Sequence, residues 1–274
     1  MRKGLIRFSA IFLLIALIMA CGCTSGETKD NKAESDNSAS DDSLIVYCGA
    51  GLRVPMETIA EAFEEKEGIK IKYSYGGAAQ LLSQMDLLGE GDLYMPGAKA
   101  YLDSAAEKGF ISDTRDVVYH VVTIAVQEGN PKNITSLEDL NRDGIRVGIG
   151  EPDGPAIGKA AKKIFEKNGM WEDMQDNIVV QSGTVNELLV FLKMDQADAV
   201  VIFEDLLNEE SIEKVDIPVE DGFVKIVPVA TLTFSEHPEN AKKYMEFVSS
   251  DEGKEVFRNA GFDTYPCEKY ANIK

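Results

Sequence analysis

The chain has 274 residues, of which 44% are hydrophobic, with 28 basic against 47 acidic side chains and a formal charge of -19. That balance excludes nucleic acid as a partner, because phosphates need a basic face. Two histidines and four cysteines without a Cys-x-x-Cys pair give no support for a zinc site.

Basic Arg2, Lys3 and Arg7 precede an apolar run from Ile11 to Met19 and then Ala20-Cys21-Gly22-Cys23. This has the form of an export signal, residues 1–23, ending at a lipid-modifiable cysteine. A small residue lies before both Cys21 and Cys23, so either is a candidate for lipidation. The run is shorter than the roughly 20 residues of a spanning helix. Residues 24–43 are almost free of apolar side chains and are expected to be a disordered acidic tether. The remainder would then be anchored to the outer face of the cell membrane, where cytosolic ATP is absent. Cys48 and Cys267 follow in a compartment that permits disulfides, and a bridge and two free thiols both stay open.

From residue 44 onward β-branched runs alternate with amphipathic ones, the pattern of α/β layers around largely parallel sheets. Strands are expected at Leu44–Tyr47, Ile69–Tyr75 and Asp92–Met95, with helices at Met56–Lys66, Gln80–Leu88 and Tyr101–Lys108. A long apolar stretch, Val117–Val126, runs to the turn-forming Gly129-Asn130-Pro131. Thr135-Ser136-Leu137-Glu138 has capping-box spacing and predicts a helix. Strands follow at Ile145–Ile149, Ile178–Gln181, Ala199–Phe203 and Ile226–Leu232. Helices are expected at Ile157–Lys167, Val185–Lys193, Pro238–Val248 and Gly253–Asn259.

Three strand-to-helix junctions carry the small residues that let an oxyanion approach unpaired helix N–H groups: Gly49-Ala50-Gly51, Gly76-Gly77-Ala78-Ala79, and Gly154-Pro155-Ala156-Ile157-Gly158. Arg53 and Gln80 are candidate side-chain donors beside the first two. Gly150 to Lys159 mimics a phosphate loop but fails its spacing, and Ala160 stands where a hydroxyl would hold magnesium. Ser211-Ile212-Glu213-Lys214 matches a Ser-x-x-Lys nucleophile pattern without its companion motifs. Asn133-Ile134-Thr135 is a glycosylation sequon.

Tyr47-Cys48-Gly49-Ala50-Gly51-Leu52 followed by Ile59-Ala60-Glu61-Ala62-Phe63 resembles the opening strand and helix of the molybdate- and tungstate-binding proteins of ABC importers. Ser74-Tyr75-Gly76-Gly77, Gly91-Asp92-Leu93-Tyr94 and the Lys167-Asn168-Gly169-Met170-Trp171 turn also match. So do the endings Tyr244-Met245-Glu246-Phe247, Gly253-Lys254-Glu255-Val256-Phe257 and Gly261-Phe262, which extends the resemblance over nearly all of residues 44–266. It implies a two-lobed type II periplasmic-binding-protein fold with two crossing hinge strands. Lobe 1 would be residues 44–116 and 233–274, and lobe 2 residues 117–232, with hinge candidates Val117–Thr123 and Ile226–Leu232.

Carried over by resemblance, the anion contacts fall on Gly51 and Ala78 in one lobe and on Ala156, Val185 and Phe203 in the other. Arg53, Gly77, Asp153 and Glu204 are further candidates, the two carboxylates because some archaeal relatives add two acidic metal ligands. The chain departs from the pattern: usual serines fall on Gly51 and Ala78, a usual tyrosine on Phe203, and an acidic residue on Ala98. The implied function is capture of molybdate or tungstate as cargo, with no resident cofactor or metal, by a monomer that delivers it to an ABC permease. The alternatives are a ferric-iron or other metal carrier of this fold, which a paired-tyrosine motif would favour, and an extracytoplasmic hydrolase, which needs an activated nucleophile.

Overall fold

The computed structural model describes residues 43–207 and 211–273. In chain order the elements are β1 (Leu44–Gly49), α1 (Arg53–Glu67), β2 (Ile71–Gly76), α2 (Ala78–Leu88), β3 (Leu93–Met95), α3 (Lys99–Glu107) and β4 (Ile111–Gln127). Then come β5 (Val147–Gly150), α4 (Ala156–Lys167), β6 (Ile178–Ser182), α5 (Val185–Lys193), β7 (Ala199–Phe203) and β8 (Ile212–Val215). The chain closes with β9 (Val224–Leu232), α6 (Pro238–Val248), α7 (Asp251–Asn259) and β10 (Asp263–Thr264).

The apolar strand β1 is buried along most of its length and pairs in parallel with β2 and β3. Parallel pairing needs long crossovers, and α1 and α2 provide them. On α1, Met56, Ile59, Ala60 and Phe63 share one face and are buried, as the 3.6-residue period requires. In the other half β5 pairs in parallel with β6 and β7, with α4 and α5 as crossovers. The two halves place their helices after their strands, so the carboxyl ends of both parallel sets lead into helix N-termini.

Strand β4 joins the halves by changing partners along its 17 residues. Ile111 to Val121 pair antiparallel with β9, and from Val122 onward the strand pairs with β7 and β8. The path of the sheet is β2-β1-β3-β9-β4-β7-β5-β6. Two large apolar cores result. One gathers Leu44, Met56, Phe63, Val117, Val227, Tyr244 and Phe257. The other gathers Val122, Ile149, Phe165, Leu188, Val200 and Ile202. The Val-rich centre of β4 is buried except at half-buried His120, as a strand covered on both faces demands.

The structure corrects several expectations. No α-helix follows Thr135; Glu138–Asn141 forms only a 3-10 turn. The Asp139 carboxylate accepts from the Thr135 and Ser136 amides and the Thr135 hydroxyl, a local alternative to helix that closes the turn. Strand β4 starts six residues before the apolar run, because exposed Asp113 and Arg115 still pair with β9. Ile212–Val215, part of the Ser-x-x-Lys match, is an edge strand on β4. Cys48 and Cys267 are separate free thiols, the first buried in the core and the second half-buried. Cys21, Cys23 and residues 24–42 of the expected tether lie outside the described residues, and its last residue, Ser43, is buried against the fold.

Candidate functional site

A cavity of about 600 Å³ lies where the junctions of both halves meet. Its first wall comes from Gly49 to Leu52 before α1, Gly76 to Gln80 at the start of α2, and Gly97, Ala98 and Tyr101 around the start of α3. The facing wall comes from Gly154 to Ile157 and Lys159 at α4, Val185 at α5, and Phe203, Asp205 and Leu206 after β7. His120 of β4 and Lys225 of β9 complete the lining from the crossing strands.

The helix starts here share a feature that decides their chemistry. The N-cap positions of α1, α2, α3 and α4 are Leu52, Gly77, Ala98 and Pro155, and no side chain caps any of them. The first N–H groups of a helix have no partner within it, so α2, α3 and α4 present free donors with the positive end of the dipole behind them, whereas α1 continues a 3-10 turn, Ala50–Leu52, and its Arg53 amide donates to the Ala50 carbonyl. Helix α5 differs, because the Thr184 hydroxyl accepts from the Glu187 amide. A Cβ built on Gly51, Gly77 or Gly97 would meet no atom within 4 Å, so the backbone there faces open space. Gly158 has another purpose: a Cβ would fall 2.0 Å from the Glu151 carbonyl oxygen, so only glycine lets α4 pack against the end of β5. The phosphate-loop mimicry of this segment is thus a packing requirement.

Gly51, Gly77, Ala78, Ala156, Val185 and Phe203 are brought together on the cavity wall. Tyr94 donates its hydroxyl to the Ala78 carbonyl at 3.0 Å, which fixes the start of α2 against β3. Arg53, Asp153 and Glu204 are not part of the lining. The Arg53 guanidinium lies 3.9 Å over the Tyr75 ring and pairs with Glu57. Asp153 is 96% exposed and lies 3.6 Å from Lys162. One Glu204 oxygen pairs with Lys214 on β8, and the other is buried without a hydrogen-bond partner.

Three polar groups of the cavity, His120, Asp205 and Lys225, escaped the sequence reading as site residues. His120 Nε2 lies 3.0 Å from Asp205 Oδ1, with both side chains largely buried. The imidazole stacks on Phe203 at 3.8 Å between ring centroids. Lys225 sits with its Nζ 4.8 Å from the centre of the Phe223 ring. Burial lowers its pKa from the usual lysine value, and the positive charge of Lys163 adds to the effect. One sequence feature could have found both: His120 and Lys225 are polar interruptions in the apolar strands that join the halves. Among the described residues no cluster of three or more His, Cys, Asp or Glu is placed to hold a metal ion.

A family model described as "Bacterial extracellular solute-binding protein" matches residues 44–263. A Haemophilus influenzae protein assigned as a binding protein is 29% identical over 221 residues, covering 80% of this chain and 90% of that protein. The molybdate-binding protein ModA of Mycobacterium tuberculosis is 26% identical over 254 residues, covering 91% of this chain and 94% of that protein. Among solved structures, the substrate-binding domain assigned to a molybdenum ABC transporter of Clostridium difficile superposes with a TM-score of 0.72. It is 21% identical and covers 81% of this chain and 98% of that one, a likeness of fold.

Proposed function

Because the chain belongs to the bacterial extracellular solute-binding proteins and has their two-lobed type II fold, we propose that its cavity captures a tetrahedral oxyanion, molybdate or tungstate, for an ABC importer. One observation carries the reading: the uncapped N-termini of α2 and α3 from before β4 and of α4 from beyond it, with the 3-10 turn that leads into α1, all open on one cavity. Free amide donors converging from both halves suit an anion that offers acceptors in every direction.

Backbone amides at Gly51, Ala78, Ala156 and Val185 hold the ion in this reading. They replace the hydroxyls that Gly51, Ala78 and Phe203 do not offer. The placement of Asp153 and Glu204 away from the lining supports a tetrahedral ion held by hydrogen bonds over one ligated by carboxylates. Approach of the two halves about β4 and β9 would exclude water, and each amide contact strengthens as the local dielectric falls. The closed form is what a permease would receive. Lipid attachment at Cys21 or Cys23 would keep the protein beside that permease, and replacing both cysteines with serine should release it from the membrane.

The test is calorimetric titration with molybdate, tungstate, sulfate and phosphate, repeated on Ala78→Asp. Aspartate is tolerated at a helix start, so the variant should fold. Its carboxylate would repel the ion and weaken the best oxyanion by well over tenfold, about 1.4 kcal/mol. Unchanged affinity would remove the ion from this cavity.

A further inference from the structure

His120 and Lys225 are register partners on the antiparallel strands β4 and β9, next to the point where β4 leaves β9 for β7. Directly opposed residues project to the same face of a sheet, and here both reach the cavity. They differ in what they leave uncompensated. His120 has a carboxylate beside it, Asp205 Oδ1 at 3.0 Å from its Nε2, and among the described residues no other carboxylate lines the cavity. Lys225 has no such partner: among the described residues no carboxylate pairs with it, and its contact is the face of Phe223. Lys163 also lies over that ring, at 5.6 Å, which adds positive charge.

A half-buried ammonium without a counter-charge is partly desolvated at a cost, which any anion that enters beside it relieves. The penalty for desolvating an ion rises with the square of its charge, whereas attraction to amide dipoles rises only in proportion. Amides alone therefore favour low charge, and a fixed cation counters that bias. We infer that Lys225 is a specificity-determining residue, making the cleft select divalent tetrahedral oxyanions over monovalent ones of the same shape. This rests on the oxyanion reading above and extends it to the charge of the cargo.

The experiment titrates the full folded chain with tungstate, a tetrahedral dianion, and perrhenate, a tetrahedral monoanion. Wild type should bind tungstate at least tenfold more tightly. Lys225→Gln should weaken both, but unequally. Coulomb energy is linear in ligand charge, so perrhenate affinity should fall by about the square root of the factor lost for tungstate. Lys225→Arg keeps the charge and should keep the wild-type ratio, which guards against a variant that merely folds badly. Equal losses for the two ions, or none, would overturn the role of Lys225 while leaving the oxyanion site intact. If wild type bound neither ion, the oxyanion reading itself would fall, and this inference with it.

Discussion

Asp205 Oδ1 lies 3.0 Å from His120 Nε2 across the junction of β7 and β4, inside the cavity where the glycine-rich junctions and helix N-termini meet. The imidazole is the near neighbour of this buried carboxylate, and a charge left without a neighbouring polar group in a low-dielectric site is costly. His120→Ala should therefore strand a buried charge, at a cost of about 3 kcal/mol of stability. It should also weaken oxyanion binding by tenfold or more. The double variant His120→Ala with Asp205→Asn removes the stranded charge and should recover most of the affinity. Urea denaturation and calorimetry on both variants check this, and failure of the rescue would mean that the pair only supports packing of Phe203.

Asp153 and Glu204 make the opposite case. Asp153 is at the surface beside Lys162, and Glu204 turns toward Lys214. Asp153→Ala and Glu204→Ala should leave affinity for molybdate and tungstate within about twofold, since the Asp153 charge is screened by solvent and the Glu204 charge is paired with Lys214. The absorption edge of bound tungstate should report four-coordinate metal. A collapse of affinity in either variant, or a six-coordinate spectrum, would place carboxylates in the metal's own coordination sphere.

Two glycines of the cavity region should respond in opposite ways to alanine. In Gly158→Ala the new methyl group would meet the Glu151 carbonyl oxygen at 2.0 Å, and backbone cannot yield as a side chain can. The loss should be about 3 kcal/mol or more, measured by thermal or urea unfolding. Gly51→Ala meets nothing within 4 Å and should change stability by less than about 0.5 kcal/mol. Any effect on binding there reports crowding of the ion.

Acid stability should depend on Asp198. Burial pushes its pKa up, but hydrogen bonds from the Arg146 side chain and backbone outweigh this and hold it below the ordinary value of 3.8. A carboxylate with a depressed folded pKa contributes stability that is present above its unfolded pKa. That contribution is lost as pH falls through the folded value. Asp198→Asn should cost about 2 kcal/mol at neutral pH. The gap between wild type and variant should narrow as both are taken below a pH of about 3. Urea unfolding across that range measures it, and a gap independent of pH would assign the cost to packing.

Much of this architecture is local and was legible in the chain. Val185–Lys193, Ala199–Phe203 and Pro238–Val248 have the expected limits, because periodicity, β-branching and a proline at a helix start act over a few residues. The glycine-rich junctions were equally readable, since turn chemistry is a property of neighbouring residues. Tertiary structure decided what the junctions enclose. The pairing of His120 with Lys225 follows from the register of β4 on β9, strands whose partners lie about a hundred residues apart. The change of partner at Val122 then delivers Asp205 to His120. The same non-local geometry turned Glu204 toward Lys214 and gave Ser211-Ile212-Glu213-Lys214 a place at the edge of β4. Side-chain direction depends on register and partner, and a one-residue slip in either would reverse it. Local preferences therefore specified where an anion could approach the backbone, and only long-range strand pairing set which charges wait for it there.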